Sequence, residues 1–125
     1  MIDIKAIRAK IKNLPAAEVD ALLRDLEMLE EKKRIDASRE NFIPFVEQMW
    51  PGFISGRHHK IMADAFERIA NGTLKRLIVN MPPRHTKSEF ASYLFPAWFM
   101  GRYPSKKIIQ TAHTADLAVG FGRKV

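Results

Sequence analysis

Between Pro15 and about Arg39 the apolar residues Val19, Leu22, Leu23, Leu26 and Leu29 recur at steps of three and four, the spacing of one helix face. Pro15 suits the first turn of such a helix, where its missing N–H costs nothing. A shorter helix from about Asp3 to Lys12 is predicted by Ile4, Ile7 and Ile11, with Asn13 as the break between the two. Residues 1–40 therefore read as a helical arm or hairpin. The mixed-charge run Glu30-Glu31-Lys32-Lys33-Arg34 is the solvated continuation of its longer helix. At Asn41 the pattern changes, because Phe42, Phe45, Trp50, Phe53, Pro44 and Pro51 crowd into a dozen residues. The boundary between arm and core falls there.

Residues 41–125 alternate between the two periods. Ile61, Met62, Ala65, Phe66 and Ile69 predict a helix from about His58 to Ala70, and Asn71-Gly72 supplies its left-handed stop. Leu77-Ile78-Val79 with Met81 is the short apolar run of a buried parallel strand. After Pro82-Pro83-Arg84-His85-Thr86-Lys87-Ser88 comes an apolar helix from about Ser88 to Phe99, then a second strand over Lys106–Thr111. A last helix opens at Thr114 or Ala115, with Thr114 as its N-cap and Asp116 in the first turn. Helix, strand, loop, helix, strand, helix predicts an α/β fold: a parallel sheet with a right-handed crossover and helices on both faces.

The 125 residues, 46% of them hydrophobic, provide for one small core. With no cysteine, disulfides and thiolate metal sites are excluded, and His58, His59, His85 and His113 do not fall at a zinc spacing with acidic neighbours. The opening residues lack the order of a signal peptide and no apolar run approaches the roughly 20 residues of a membrane span, so a soluble protein of a reducing compartment is expected, neither secreted nor membrane-bound. Charge sharpens this picture. Residues 1–40 carry nine basic and nine acidic side chains, whereas residues 41–125 carry twelve basic and five acidic, so the whole net charge of +7 belongs to the core region. An acidic partner is the first to look for.

The chemistry concentrates where the first strand meets the next helix. A loop there can turn successive backbone N–H groups inward on a phosphate, Lys87 can reach the β- and γ-phosphates, and the Ser88 hydroxyl can hold Mg²⁺. Laid over Met81–Ser88, the pattern G-x-x-x-x-G-K-[ST] fails at both glycines, which are Met81 and Thr86 here. Threonine before the lysine is the more serious departure, because a β-branched residue resists the positive φ that glycine allows.

The wider string Asn80-Met81-Pro82-Pro83-Arg84-His85-Thr86-Lys87-Ser88-Glu89, with Phe95-Pro96-Ala97-Trp98, Gly101-Arg102, Ala115-Asp116-Leu117-Ala118 and Phe121-Gly122-Arg123-Lys124-Val125, resembles the large terminase subunit of tailed bacteriophages from about Phe45 onward. That family has a variant Walker A loop of the form Pro-Pro-Arg-x-Gly/Thr-Lys-Ser. The resemblance implies the amino-terminal part of a P-loop ATPase domain whose full-length protein drives double-stranded DNA into a procapsid and carries a nuclease domain further along. ATP and Mg²⁺ are the implied cofactors. A small terminase subunit, a portal protein and further copies in a ring on the procapsid in the host cytoplasm are the implied partners. Carried over residue by residue, Pro83 to Ser88 cradle the phosphates, Lys87 is the phosphate-binding lysine, Ser88 the magnesium ligand, and Arg84 resembles the arginine that senses or stabilises the γ-phosphate. For adenine, His59 or His58 is similarly placed upstream, with Gln48 a rival.

An ATPase of this type also needs an apolar strand ending in a carboxylate. After Ser88 the acids are Glu89 and Asp116, neither of which ends such a strand. The chain thus reads as an incomplete P-loop sheet, the first piece of a longer protein, that binds nucleotide phosphates without turnover. Two alternatives remain: another helicase-like P-loop ATPase, or a non-catalytic module that docks a terminase partner through the arm.

Overall fold

The computed structural model describes residues 15–125, so the helix read from Asp3 to Lys12 and its break at Asn13 lie outside the described residues. The chain divides into two compact units, residues 1–34 and 35–125. Helix α1 (Ala16–Glu40), whose residues 35–40 belong to the second unit, opens on Pro15, whose carbonyl accepts hydrogen bonds from the N–H groups of Glu18 and Val19. Leu22, Leu23, Leu26 and Leu29 keep about half of their surface exposed. The Glu30–Arg34 run is helical and solvated, with Arg34 paired to Glu31 at 3.2 Å.

The second unit is built around aromatic rings. Helix α2 (Phe42–Met49) places Phe42 and Val46 in the core, and α3 (Arg57–Ala70) adds Met62, Ala63 and Phe66 from its apolar stripe. Phe42 is fully buried and meets Phe66, Phe90 and Phe95 edge-on at centroid distances of 5.6, 5.4 and 6.0 Å, an arrangement the ring quadrupoles favour. Its backbone N–H, an orphan donor at the start of α2, is taken by Glu67 Oε1 at 2.7 Å, which also sets an anion at the positive end of that helix. Gly72, at φ +81°, ends α3 as its sequence implies.

A second helical run starts at Lys87 and continues to Arg102: α4 (Lys87–Glu89), a π-helical turn over Phe90–Leu94, and α5 (Phe95–Arg102) follow one another without a gap. Pro96 accounts for the irregular turn. Its ring crowds the carbonyl four residues back and it has no N–H to offer it. Phe95 N–H bonds instead to Phe90 O, and the stranded Ser92 carbonyl accepts from the Gln110 side-chain amide at 2.6 Å. At the far end, Trp98 Nε1 donates to Ser38 O at 3.1 Å and Arg102 donates to the carbonyls of Arg39 and Glu40, so these two side chains satisfy the last carbonyls of α1. The final helix, α6 (Ala115–Gly122), is capped by Thr114, whose Oγ1 accepts from Leu117 N–H at 3.4 Å.

The α/β expectation is overturned. Among the described residues there is no strand and therefore no P-loop sheet, no parallel pair and no crossover; the elements are all helical. Residues 77–81 and 106–111 are neither helical nor paired with another strand. The apolar run 77–81 is neither a buried strand nor a paired one: Leu77 and Ile78 are exposed, and only Val79 and Met81 are partly buried. Val79 and Met81 pack on the helical core while Ile78 before them is 85% exposed and Asn80 between them is also exposed, so the side chains alternate as in a strand. A strand, however, is defined by a ladder, and among the described residues no second backbone edge is hydrogen-bonded to this one.

Two expectations follow. Phe42→Ala should cost about 3–5 kcal/mol of stability in urea denaturation, the range for emptying a buried aromatic site. Gln110→Ala should cost about 0.5–1.5 kcal/mol by removing the bond to Ser92 O. Most of that cost should vanish in a Pro96→Ala background, where residue 96 regains an N–H for the same carbonyl.

Candidate phosphate-binding loop

Met81 rests on the core and Phe90 is fully buried in it, so the residues between them must leave and re-enter the same apolar surface within a short span. The backbone does this through two left-handed residues that are not glycine: Arg84 at φ 64° and Thr86 at φ 59°. Each such residue costs of order 1–3 kcal/mol, and for a β-branched side chain the conformation is a genuine outlier. Thr86 stands where the P-loop pattern asks for glycine, and its backbone has the left-handed conformation that such a glycine allows. A left-handed Thr86 directly before helical Lys87 is the kind of backbone pairing that can turn successive N–H groups toward one point.

Met81, Pro82, Pro83, Arg84, His85, Thr86, Lys87, Ser88 and Glu89 line one cleft of about 450 Å³. Arg84, His85 and Ser88 are exposed there, and Lys87 is half-buried. Lys87 Nζ spans the loop to Met81 O at 3.4 Å, a long bond that an anionic ligand could readily replace. Glu89 is the carboxylate of this cleft, and its Oε1 lies 3.7 Å from Lys124 Nζ. Ser88 and Lys87 also border a second hollow of about 430 Å³ with Leu77, Val79 and Phe95.

His59 enters this site from below. It is the third residue of α3 and 6% exposed, and its Nδ1 accepts the Gly56 N–H at 2.9 Å. A backbone N–H can only donate, so Nδ1 is bare and the proton sits on Nε2. That nitrogen lies 2.7 Å from Thr86 Oγ1, and the Thr86 hydroxyl donates in turn to His85 O at 2.7 Å. The ring is packed against Phe53 at 4.8 Å and Phe90 at 5.0 Å. Burial, and then the neighbouring His58, hold the His59 pKa below its ordinary 6.5. The space at Gly56 is tight, since a Cβ on it would stand 3.1 Å from His58 Cε1 and the His58 ring would have to give by a few tenths of an ångström.

Of the residues picked out from sequence, Pro83, Arg84, His85, Thr86, Lys87 and Ser88 share the cleft, and His59 joins it through Thr86. Both His59 nitrogens are engaged within the chain, which leaves neither for a base. Gln48 lies elsewhere, lining a cavity of about 660 Å³ with Phe45, Trp98 and Arg102. Sequence reasoning passed over Phe90, which anchors the helix behind the loop, and Gln110. A proline four residues after Ser92 was the available sign that a carbonyl there would need a side-chain donor.

Because the neutral ring is native, the unfolded chain takes up a proton near pH 6.5 that the folded chain resists. This contribution is fully present above that value and is lost as the pH falls through it toward the depressed folded value. Urea titrations between about pH 7 and 5 should show the unfolding free energy falling with pH, and His59→Gln should flatten the fall. Compared with known proteins, the chain matches no family model, no curated protein and no solved structure.

Proposed function

We propose that the loop Met81–Ser88 binds the triphosphate of ATP with Mg²⁺, as the nucleotide-binding part of a viral DNA-packaging motor of the large-terminase type. The observation that carries the reading is the backbone at Arg84 and Thr86: two non-glycine residues held left-handed immediately before Lys87. Strain of that kind persists where a site uses it. The hollow supplies N–H donors to phosphate oxygens, and Lys87, released from Met81 O, supplies a mobile cation to the β- and γ-phosphates. Arg84, exposed in the same cleft, offers a planar fork to the terminal phosphate. Ser88 is exposed beside Lys87 and offers its hydroxyl to the metal. Mg²⁺, if held by the Ser88 hydroxyl, would supply charge neutralisation to the phosphates. DNA is the second acidic partner in this reading, and the positive excess of residues 41–125 supports it through backbone contacts that are sensitive to salt and indifferent to sequence.

The half-exposed leucine stripe of α1 favours a second reading, in which the arm docks a protein partner such as a small terminase subunit. Nucleotide binding separates the two.

A fluorescent ATP analogue with Mg²⁺ should bind the chain, and Lys87→Ala should weaken binding at least about tenfold, the loss of roughly 1.4 kcal/mol. No steady hydrolysis is expected, because the cleft's carboxylate, Glu89, faces Lys124. Lys87-independent binding, or none at millimolar analogue, would overturn the nucleotide reading in favour of the docking module.

A further inference from the structure

We propose that His59 is a positioning residue of the loop: by donating Nε2–H to Thr86 Oγ1 it holds a threonine in the left-handed turn that a glycine would adopt unaided. For its consequence in binding the proposal rests on the phosphate-loop reading; for its geometry it does not.

A strained backbone survives only where its surroundings over-determine it. At Thr86 the surroundings are a directed chain of three hydrogen bonds: Gly56 N–H to His59 Nδ1, His59 Nε2–H to Thr86 Oγ1, and Thr86 Oγ1–H to His85 O. Every donor has one acceptor and the first is a backbone amide, so the direction of the whole chain is fixed. Reversing either link at His59 would leave a donor facing a donor, and the His85 carbonyl can only accept. The Thr86 side chain is thereby tied on one side to α3 and on the other to its own loop. The anchor is firm as well. His59 is held by Phe53, His58 and Phe90 at ring distances of 4.8, 3.8 and 5.0 Å, and Phe90 is itself packed on Phe42. His58 and, behind it, His85 at 6.0 Å from His58 are the titratable rings gathered on this side.

The consequence falls on the next residue. Lys87 begins the helical run directly after Thr86, and Phe90 N–H bonds back to Thr86 O at 2.9 Å, so the turn at 86 sets both the heading of the Lys87 side chain and the first bond of the helix. If Thr86 relaxed to a right-handed or extended backbone, the hollow and the lysine would move together. A glycine-based loop needs no such prop, because glycine adopts positive φ freely. The prop and the threonine are therefore one device, and each has meaning only beside the other.

A double-mutant cycle on the full chain tests this. His59→Phe keeps an aromatic ring among Phe53 and Phe90 while deleting the donor. With Thr86 present it should weaken binding of the Mg²⁺-loaded fluorescent ATP analogue about tenfold or more; combined with Thr86→Gly it should weaken it less than about twofold. Thr86→Val, which keeps the shape and loses the hydroxyl, should match His59→Phe, and the two together should be no worse than either. Equal losses from His59→Phe in the threonine and glycine backgrounds would overturn the proposal, since His59 would then contribute packing alone. A readout without nucleotide stands beside the cycle. NMR should show His59 with Nδ1 bare and Nε2 protonated, and the backbone shifts of residue 86 should lose their left-handed signature in His59→Phe or Thr86→Val. Retention of that signature in both overturns the proposal. If the native chain shows no Lys87-dependent binding while the signature behaves as expected, the nucleotide reading fails and the positioning role stands.

Discussion

Burial of Phe90 against Phe42 is the contact on which the rest of the second unit depends. The two rings meet at 5.4 Å, both fully excluded from water, and each also touches a different set of partners: Phe90 reaches Phe53 and His59, Phe42 reaches Phe66, Phe95 and Trp98. Full burial of one such side chain contributes about 1.5–3 kcal/mol, and favourable ring pairs add about 0.5–1.5 each, so this cluster outweighs any exposed ion pair in the molecule. Its position matters more than its size. Phe90 lies three residues beyond Lys87, so fixing its ring fixes where the helix behind the loop begins.

With that end fixed and Met81 resting on the core at the other, the loop has little freedom left. The chain closes the gap with left-handed backbone at Arg84 and Thr86, and the local cost is met by the core below, through His59. A glycine loop would reach the same shape with less strain but would lose more conformational freedom on folding. A threonine held by a histidine exchanges that freedom for a set geometry. This loop therefore relies on its support where a glycine loop would rely on its own permissiveness.

The parts legible in sequence are those where one local rule decides. The leucine spacing marks α1, the stripe of Ile61, Met62, Phe66 and Ile69 marks α3, Gly72 marks its end, and Thr114 marks the start of α6. The loop was legible from Lys87-Ser88 after an apolar run. The strands differ from expectation because an apolar run does not by itself say what covers it: Val79 and Met81 rest on helices, whereas Ile78 and Ile109 stay exposed. Whether a backbone edge finds a partner is a property of other segments. His59 was noticed as polar and upstream, but its contact spans 27 residues, and no periodicity links a histidine at a helix start to a threonine so far along. Pro96 stood in plain view inside an apolar helix; its consequence, a π-helical turn with a carbonyl handed to Gln110, depends on where residue 110 comes to lie.

The unpaired segments give the charge distribution a second physical meaning. Ile78 and Ile109 are 85% and 90% exposed on stretches whose backbone edges are open, a combination that ordinarily invites edge-to-edge association. The first stretch is preceded by the exposed basic pair Lys75-Arg76, and the second opens on the exposed pair Lys106-Lys107. Lysine and arginine at an open edge oppose the approach of a second copy carrying the same charges, while leaving an acidic partner free to come close. Part of the positive excess that points toward phosphates therefore also guards the edges that a sheet would have covered, and four of the twelve basic residues in this region sit where that guard is needed.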